Sequence, residues 1–127
     1  FVRKLLDKNG YTHIYLATEE QSVHDDFMSK FPGTVLVNKR HYIGDAFKQS
    51  GADWCHQVVL GIENEPYVKG IEYLSSINIL SKCNALVGGN CGATQLAFLM
   101  NNFKYEYTEI FNLGLYPPSI YNKVGFD

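Results

Sequence analysis

The sequence has no excess of either charge: eleven Lys and Arg stand against thirteen Asp and Glu, a formal net charge of -2. No basic cluster forms the stripe that a phosphate backbone would require, which sets nucleic acid aside as a partner. Cysteine is scarce. Cys55, Cys83 and Cys91 are odd in number and none stands at CxxC spacing, so neither a disulfide framework nor a zinc site is suggested, and thiols in a reducing compartment are expected. Long apolar runs are missing too, since stretches such as Leu96 to Met100 fall far short of the ~18 residues needed to span a bilayer. Neither GxGxxG nor GxxxxGK[ST] occurs, which disfavours an NAD-dependent oxidoreductase half. No Ser, His and Asp arrangement suggests nucleophilic catalysis, and no cluster of His and carboxylates suggests a metal; His24 and His56 stand alone. The first residue is Phe1 rather than Met and no leader pattern follows it, so a fragment of a longer protein is expected.

What is present suits a packed core. Hydrophobic residues make up 46% and charged residues 19% of 127 positions, which excludes the signature of disorder and fits one domain of roughly 100 to 150 residues. Val2 to Lys8 reads as a helix ending before the Asn9-Gly10 breaker. Thr12 to Ala17, rich in β-branched and aromatic residues, predicts a first strand. Val23, Phe27 and Phe31 recur at four-residue steps between a capping Ser22 and Pro32-Gly33, which predicts an amphipathic helix from Ser22 to Phe31. Thr34 to Val37 predicts a second strand, and residues 44 to 66 read as a long connection or insertion. Ile71, Leu74, Ile77, Leu80 and Cys83 predict a helix over Tyr67 to Lys82. A strand at Ala85 to Val87, a helix from Ala93 to Met100 and a strand from Tyr105 to Phe111 complete the pattern, with Pro117-Pro118 marking an irregular tail.

Alternation of helix and strand calls for a parallel sheet with helical crossovers. The expected fold is an open three-layer α/β sandwich, its sheet mainly parallel and of about four strands. In such sheets ligands sit beyond the carboxyl ends of the strands, so the strand exits hold the candidates. At Gly88-Gly89-Asn90-Cys91-Gly92-Ala93-Thr94, a glycine-rich turn enters a helix, where amides and the helix N-terminus favour an anion such as a phosphate. A tight turn with an ordinary N-cap is the alternative. Thr18-Glu19-Glu20 could present a carboxylate to a ribose or base, or simply favour the first turn of the next helix. At the second exit Lys39, Arg40 and His41 could neutralise a diphosphate or orient a sugar, Arg40 by a bidentate fork.

Three stretches carry a resemblance: Ile14-Tyr15-Leu16-Ala17-Thr18-Glu19-Glu20, then Gly70-Ile71-Glu72 through Ile79-Leu80-Ser81-Lys82-Cys83-Asn84, then Val87-Gly88-Gly89-Asn90-Cys91-Gly92. Over about residues 11 to 116 the chain resembles the donor-binding half of fucosyltransferase-type glycosyltransferases, the α1,6- and protein O-fucosyltransferase relatives. The resemblance implies a Rossmann-like domain over 1–127, the C-terminal part of a two-domain GT-B enzyme. It implies GDP-fucose as donor, inverting transfer without a metal or other cofactor, and a glycan acceptor. It places Thr18, Glu19 and Glu20 on the acidic motif near the nucleotide, Arg40 on a basic residue after the next strand, and Asn90, Cys91, Gly92, Ala93 and Thr94 on the loop holding the diphosphate. Ser76 stands where such families carry an aspartate near the base, which leaves guanine specificity open.

Inverting transfer requires stabilisation of the departing diphosphate, which amides of the 89–94 loop and Arg40 as the catalytic cation can supply. No base for the acceptor is evident; the resemblance implies an arginine motif that contacts the leaving diphosphate and lies upstream of this segment, so a preceding N-terminal domain of the same chain is expected to carry it and to bind the acceptor. The fragment alone is expected to bind donor with little turnover, in the cytoplasm, or peripherally at the inner membrane if bacterial. The rival reading is a noncatalytic α/β module that binds a nucleotide or a protein.

Overall fold

The computed structural model describes residues 1–112, the side chain of His56 excepted; Pro117 and Pro118 lie outside the described residues. Its elements run α1 (Val2–Asn9), β1 (Ile14–Tyr15), α2 (Gln21–Lys30), β2 (Val35–Leu36), α3 (Gly44–Ser50), a 3-10 turn (Cys55–Gln57), α4 (Glu65–Leu80), β3 (Ala85–Gly89), α5 (Gly92–Met100) and β4 (Tyr107–Phe111). Every helix and strand expected from the sequence is present within a few residues. The 44–66 connection, unassigned by pattern, contains α3 and the 3-10 turn. Contacts divide the chain into two compact units, Phe1–Glu72 and Tyr73–Asp127, with the boundary inside α4.

All strand pairing is parallel, as alternation demands, but the four described strands form two sheets of two rather than one sheet of four. In the first unit Ile14 pairs with Val35 and Tyr15 with Leu36. In the second, five residues of β3 run beside five of β4, from Ala85 with Tyr107 to Gly89 with Phe111. Local pattern sets the direction of neighbouring strands, whereas joining the two ladders would require β1 or β2 to bond laterally to β3 or β4, and no local signal specifies that.

Each unit has its own buried residues. Val35, Ile43 and Val58 are buried in the first. In the second, Ile77, Leu86 and Ala97 form a cluster against which Leu80, Ala93, Leu96, Phe98 and Tyr105 pack. Tyr105 closes this core with an edge-on contact to Phe98, and its hydroxyl donates to the carbonyl of Leu80 at 2.9 Å. Of the apolar positions that predict α4, Ile77 is buried, but Ile71 and Leu74 are exposed. The helix therefore forms as expected while burying a narrower stripe than its periodicity offers.

Two boundaries differ from the sequence reading in ways that bear on function. Helix α2 begins at Gln21, with Glu20 rather than Ser22 at the N-cap, because the Thr18 hydroxyl accepts the Glu20 amide and turns the chain earlier. Strand β3 continues through Gly88 and Gly89, since the ladder to β4 reaches Phe111. The turn into α5 is thereby reduced to Asn90 and Cys91.

Candidate functional site

The sequence candidates fall into both units. Thr18, Glu19, Glu20 and Arg40 belong to the first; Ser76, Asn90, Cys91, Gly92, Ala93 and Thr94 belong to the second.

In the first unit the exits of β1 and β2 converge on the start of α3. The Glu19 carbonyl accepts the amides of Ile43 and Gly44 at 3.0 and 2.9 Å, tying the two exits together. The Glu20 carboxylate lies against Gly44, where an added Cβ would stand 2.5 Å from its Cδ, and accepts from Lys48 Nζ at 2.6 Å. That hydrogen bond raises the Lys48 pKa by stabilising the ammonium form. Glu20 is thus held within the unit, and the Thr18 hydroxyl is engaged by the turn.

Arg40 differs from these residues. Its side chain is only 8% exposed, and its nearby anion, Glu19 Oε1, stands 3.8 Å from Nη2, within ion-pair range but beyond a hydrogen bond. The Arg40 Nε is buried and has no hydrogen-bond partner among the described residues. Buried polar groups are nearly always bonded, so an unpaired guanidinium N–H calls for an acceptor. Around it, burial pushes the Tyr42 hydroxyl pKa up, against the opposing pull of the Arg40 charge. Burial likewise raises the Cys55 thiol, reinforced by the charge of Glu19 and a hydrogen bond to it. The neighbouring His41 is bonded through its ring and its amide to Glu72.

In the second unit Cys91 is the N-cap of α5 in an extended conformation with no side-chain cap. Thr94 is buried, and its hydroxyl donates to the Gly89 carbonyl at 2.7 Å, so it fastens the turn to the end of β3. A Cβ at Gly88 would stand 3.3 Å from that hydroxyl, so a side chain here would require the Thr94 hydroxyl to give by a few tenths of an ångström. The Asn90 amide is taken by the Phe111 carbonyl, and the Asn90 side chain accepts from Gln95. The first-turn amides of Gly92, Ala93 and Thr94 meet no acceptor among the described residues, the ordinary state of a helix start without a cap. The Thr94 hydroxyl proton is thus spent within the turn, and the donors left at the start of α5 are main-chain amides. Ser76 sits in α4, 4% exposed, next to the core residue Ile77.

Sequence reasoning singled out Arg40 but passed over Gly44, Tyr42 and Cys55. Nothing in their spacing marks them; they meet Glu19, Glu20 and Arg40 only through the folded exits. The three cysteines are free thiols. Among the described residues no three His, Cys, Asp or Glu side chains are grouped to hold a metal ion, and no helix is long and apolar enough to cross a membrane. Comparison with protein-family models, curated proteins and solved structures gives no match.

Proposed function

We propose that the chain is the donor-binding domain of a glycosyltransferase, binding a nucleoside-diphosphate sugar, GDP-fucose by the resemblance, for metal-independent inverting transfer to a glycan acceptor. The observation that carries this reading is Arg40: a nine-tenths buried guanidinium at a strand exit, with an Nε unbonded among the described residues and a carboxylate beyond hydrogen-bond reach. A diphosphate offers charge-assisted acceptors to a guanidinium whose ion pair with Glu19 spans 3.8 Å, and bonds of this kind are the strong ones. The amides of Gly92, Ala93 and Thr94 are a second feature, in the other unit, that suits a phosphate. The reading carries with it a Rossmann-like sandwich and a further domain that binds the acceptor, in a cytoplasmic or membrane-peripheral enzyme.

In mechanism, Arg40 stabilises the charge that gathers on the departing diphosphate as the glycosidic C–O bond breaks. Glu19, 3.8 Å away, keeps the guanidinium in place without saturating it. The test is calorimetric titration of GDP into the chain. Arg40→Ala should weaken binding by about 1.5–3 kcal/mol, the scale of hydrogen bonds to charged groups, while Lys4→Ala on exposed α1 should change little. No heat with GDP, UDP or GDP-fucose, in a folded sample, would turn the reading toward a noncatalytic module.

A further inference from the structure

The residue after Arg40 is gripped twice by one carboxylate. Glu72, on α4 and in the same unit, meets the His41 ring at Nδ1 with Oε1 at 2.8 Å and accepts the His41 amide with Oε2 at 3.0 Å. The Glu72 side chain is withdrawn from solvent, at 13% exposure, while the imidazole is 41% exposed. An ionised carboxylate only accepts, so a neutral ring bonded to it carries its proton on Nδ1. Nε2 then holds a lone pair, and among the described residues nothing bonds to it.

This is a fixed acceptor on a part-exposed ring, in the same loop as a buried guanidinium whose Nε has no partner among the described residues. We infer that His41 reads the sugar of the donor: its Nε2 accepts a hydrogen bond from a hydroxyl of the hexose whose diphosphate is held at Arg40, with Glu72 as the positioning residue. The inference rests on the donor-binding reading above. Its chemistry follows from connectivity, because sugar and diphosphate share a covalent bond, and consecutive residues, about 3.8 Å apart at Cα, can serve adjoining parts of one ligand. A hydroxyl donating to Nε2 also requires the tautomer that Glu72 imposes; the other tautomer would present a donor instead.

The experiment titrates GDP and GDP-fucose separately into the wild-type chain, His41→Phe and Glu72→Gln. His41→Phe keeps a ring and removes the acceptor. It should weaken GDP-fucose about fivefold, the scale of one neutral hydrogen bond, and leave GDP within about twofold. Equal weakening of both ligands, or of neither, overturns the inference while leaving diphosphate binding intact. Binding of neither ligand by the wild type overturns the donor reading and this inference with it. If circular dichroism shows His41→Phe unfolded, Glu72→Gln makes the same test. A neutral amide no longer fixes the proton on Nδ1, so the same selective loss for GDP-fucose is expected, and its absence overturns the inference. Nitrogen-15 NMR of the wild-type imidazole at neutral pH should show the Nδ1–H tautomer; an Nε2–H tautomer also overturns it.

Discussion

The Glu20 carboxylate occupies the space that a side chain on Gly44 would need, with its Cδ 2.5 Å from an ideal Cβ and both oxygens at 2.7 Å. Twenty-odd residues apart in sequence, these two positions fix the geometry in which the β1 exit meets the start of α3. Because the obstructing atoms are the far end of a flexible side chain, Gly44→Ala should be tolerated by swinging Glu20 away from Lys48. The preference of a helix for Ala over Gly, roughly 0.5 kcal/mol, should then be offset in the wild-type background but recovered in Glu20→Ala. Urea unfolding of the four variants of this cycle measures it, and purely additive effects would show that Glu20 does not crowd Gly44.

Arg40 gives a prediction on stability that runs opposite to its effect on binding. A buried guanidinium whose Nε has no partner among the described residues costs the fold free energy when no ligand is present. Arg40→Met, which keeps an unbranched apolar stem, should therefore raise the unfolding free energy of the unliganded chain by about 1 kcal/mol or more. Denaturant unfolding without ligand is the measurement. A loss of stability would mean that the folded protein already satisfies the guanidinium.

Glu65, at the start of α4, predicts how the first unit responds to acid. Its carboxylate accepts from Lys69 at 2.5 Å and from the amides of Leu60 and Gly61 at 2.8 and 2.9 Å, while Lys69 also donates to the Val58 carbonyl. These bonds, that from Lys69 foremost, lower its pKa from 4.5 to about 2. A lowered pKa means that the unfolded chain binds the proton first as pH falls. The stabilisation is complete above about pH 4.5 and is lost as pH falls through about 2. Unfolding measured from pH 7 to 2 should show a shallower decline across that window in Glu65→Gln than in the wild type.

The two candidate regions were legible in the sequence to different depths. Arg40 stood out because a basic residue after a β-rich run lies at a strand exit, and that placement is local. The turn from Gly88 to Thr94 stood out for an equally local reason, glycines leading into a helix start, yet the ladder from Gly88 to Ile110 and Gly89 to Phe111 brought the Gly89 carbonyl within reach of the Thr94 hydroxyl. Glu72 could be quoted from the sequence as part of a resemblance, but its partner is 31 residues away. No periodicity connects them.

Read alone, the residues determined which segments are helices, which are strands and that neighbouring strands run parallel, because apolar spacing, capping residues and glycine breakers act over a few positions. Only the tertiary structure decided that the ladders form two pairs, that Glu20 is taken by Lys48 and lies against Gly44 while the Arg40 Nε is buried without a partner among the described residues, and that Glu72 fixes the ring of His41. Those outcomes depend on which groups are withdrawn from water together, and burial is a property of the packed chain rather than of any one stretch of it.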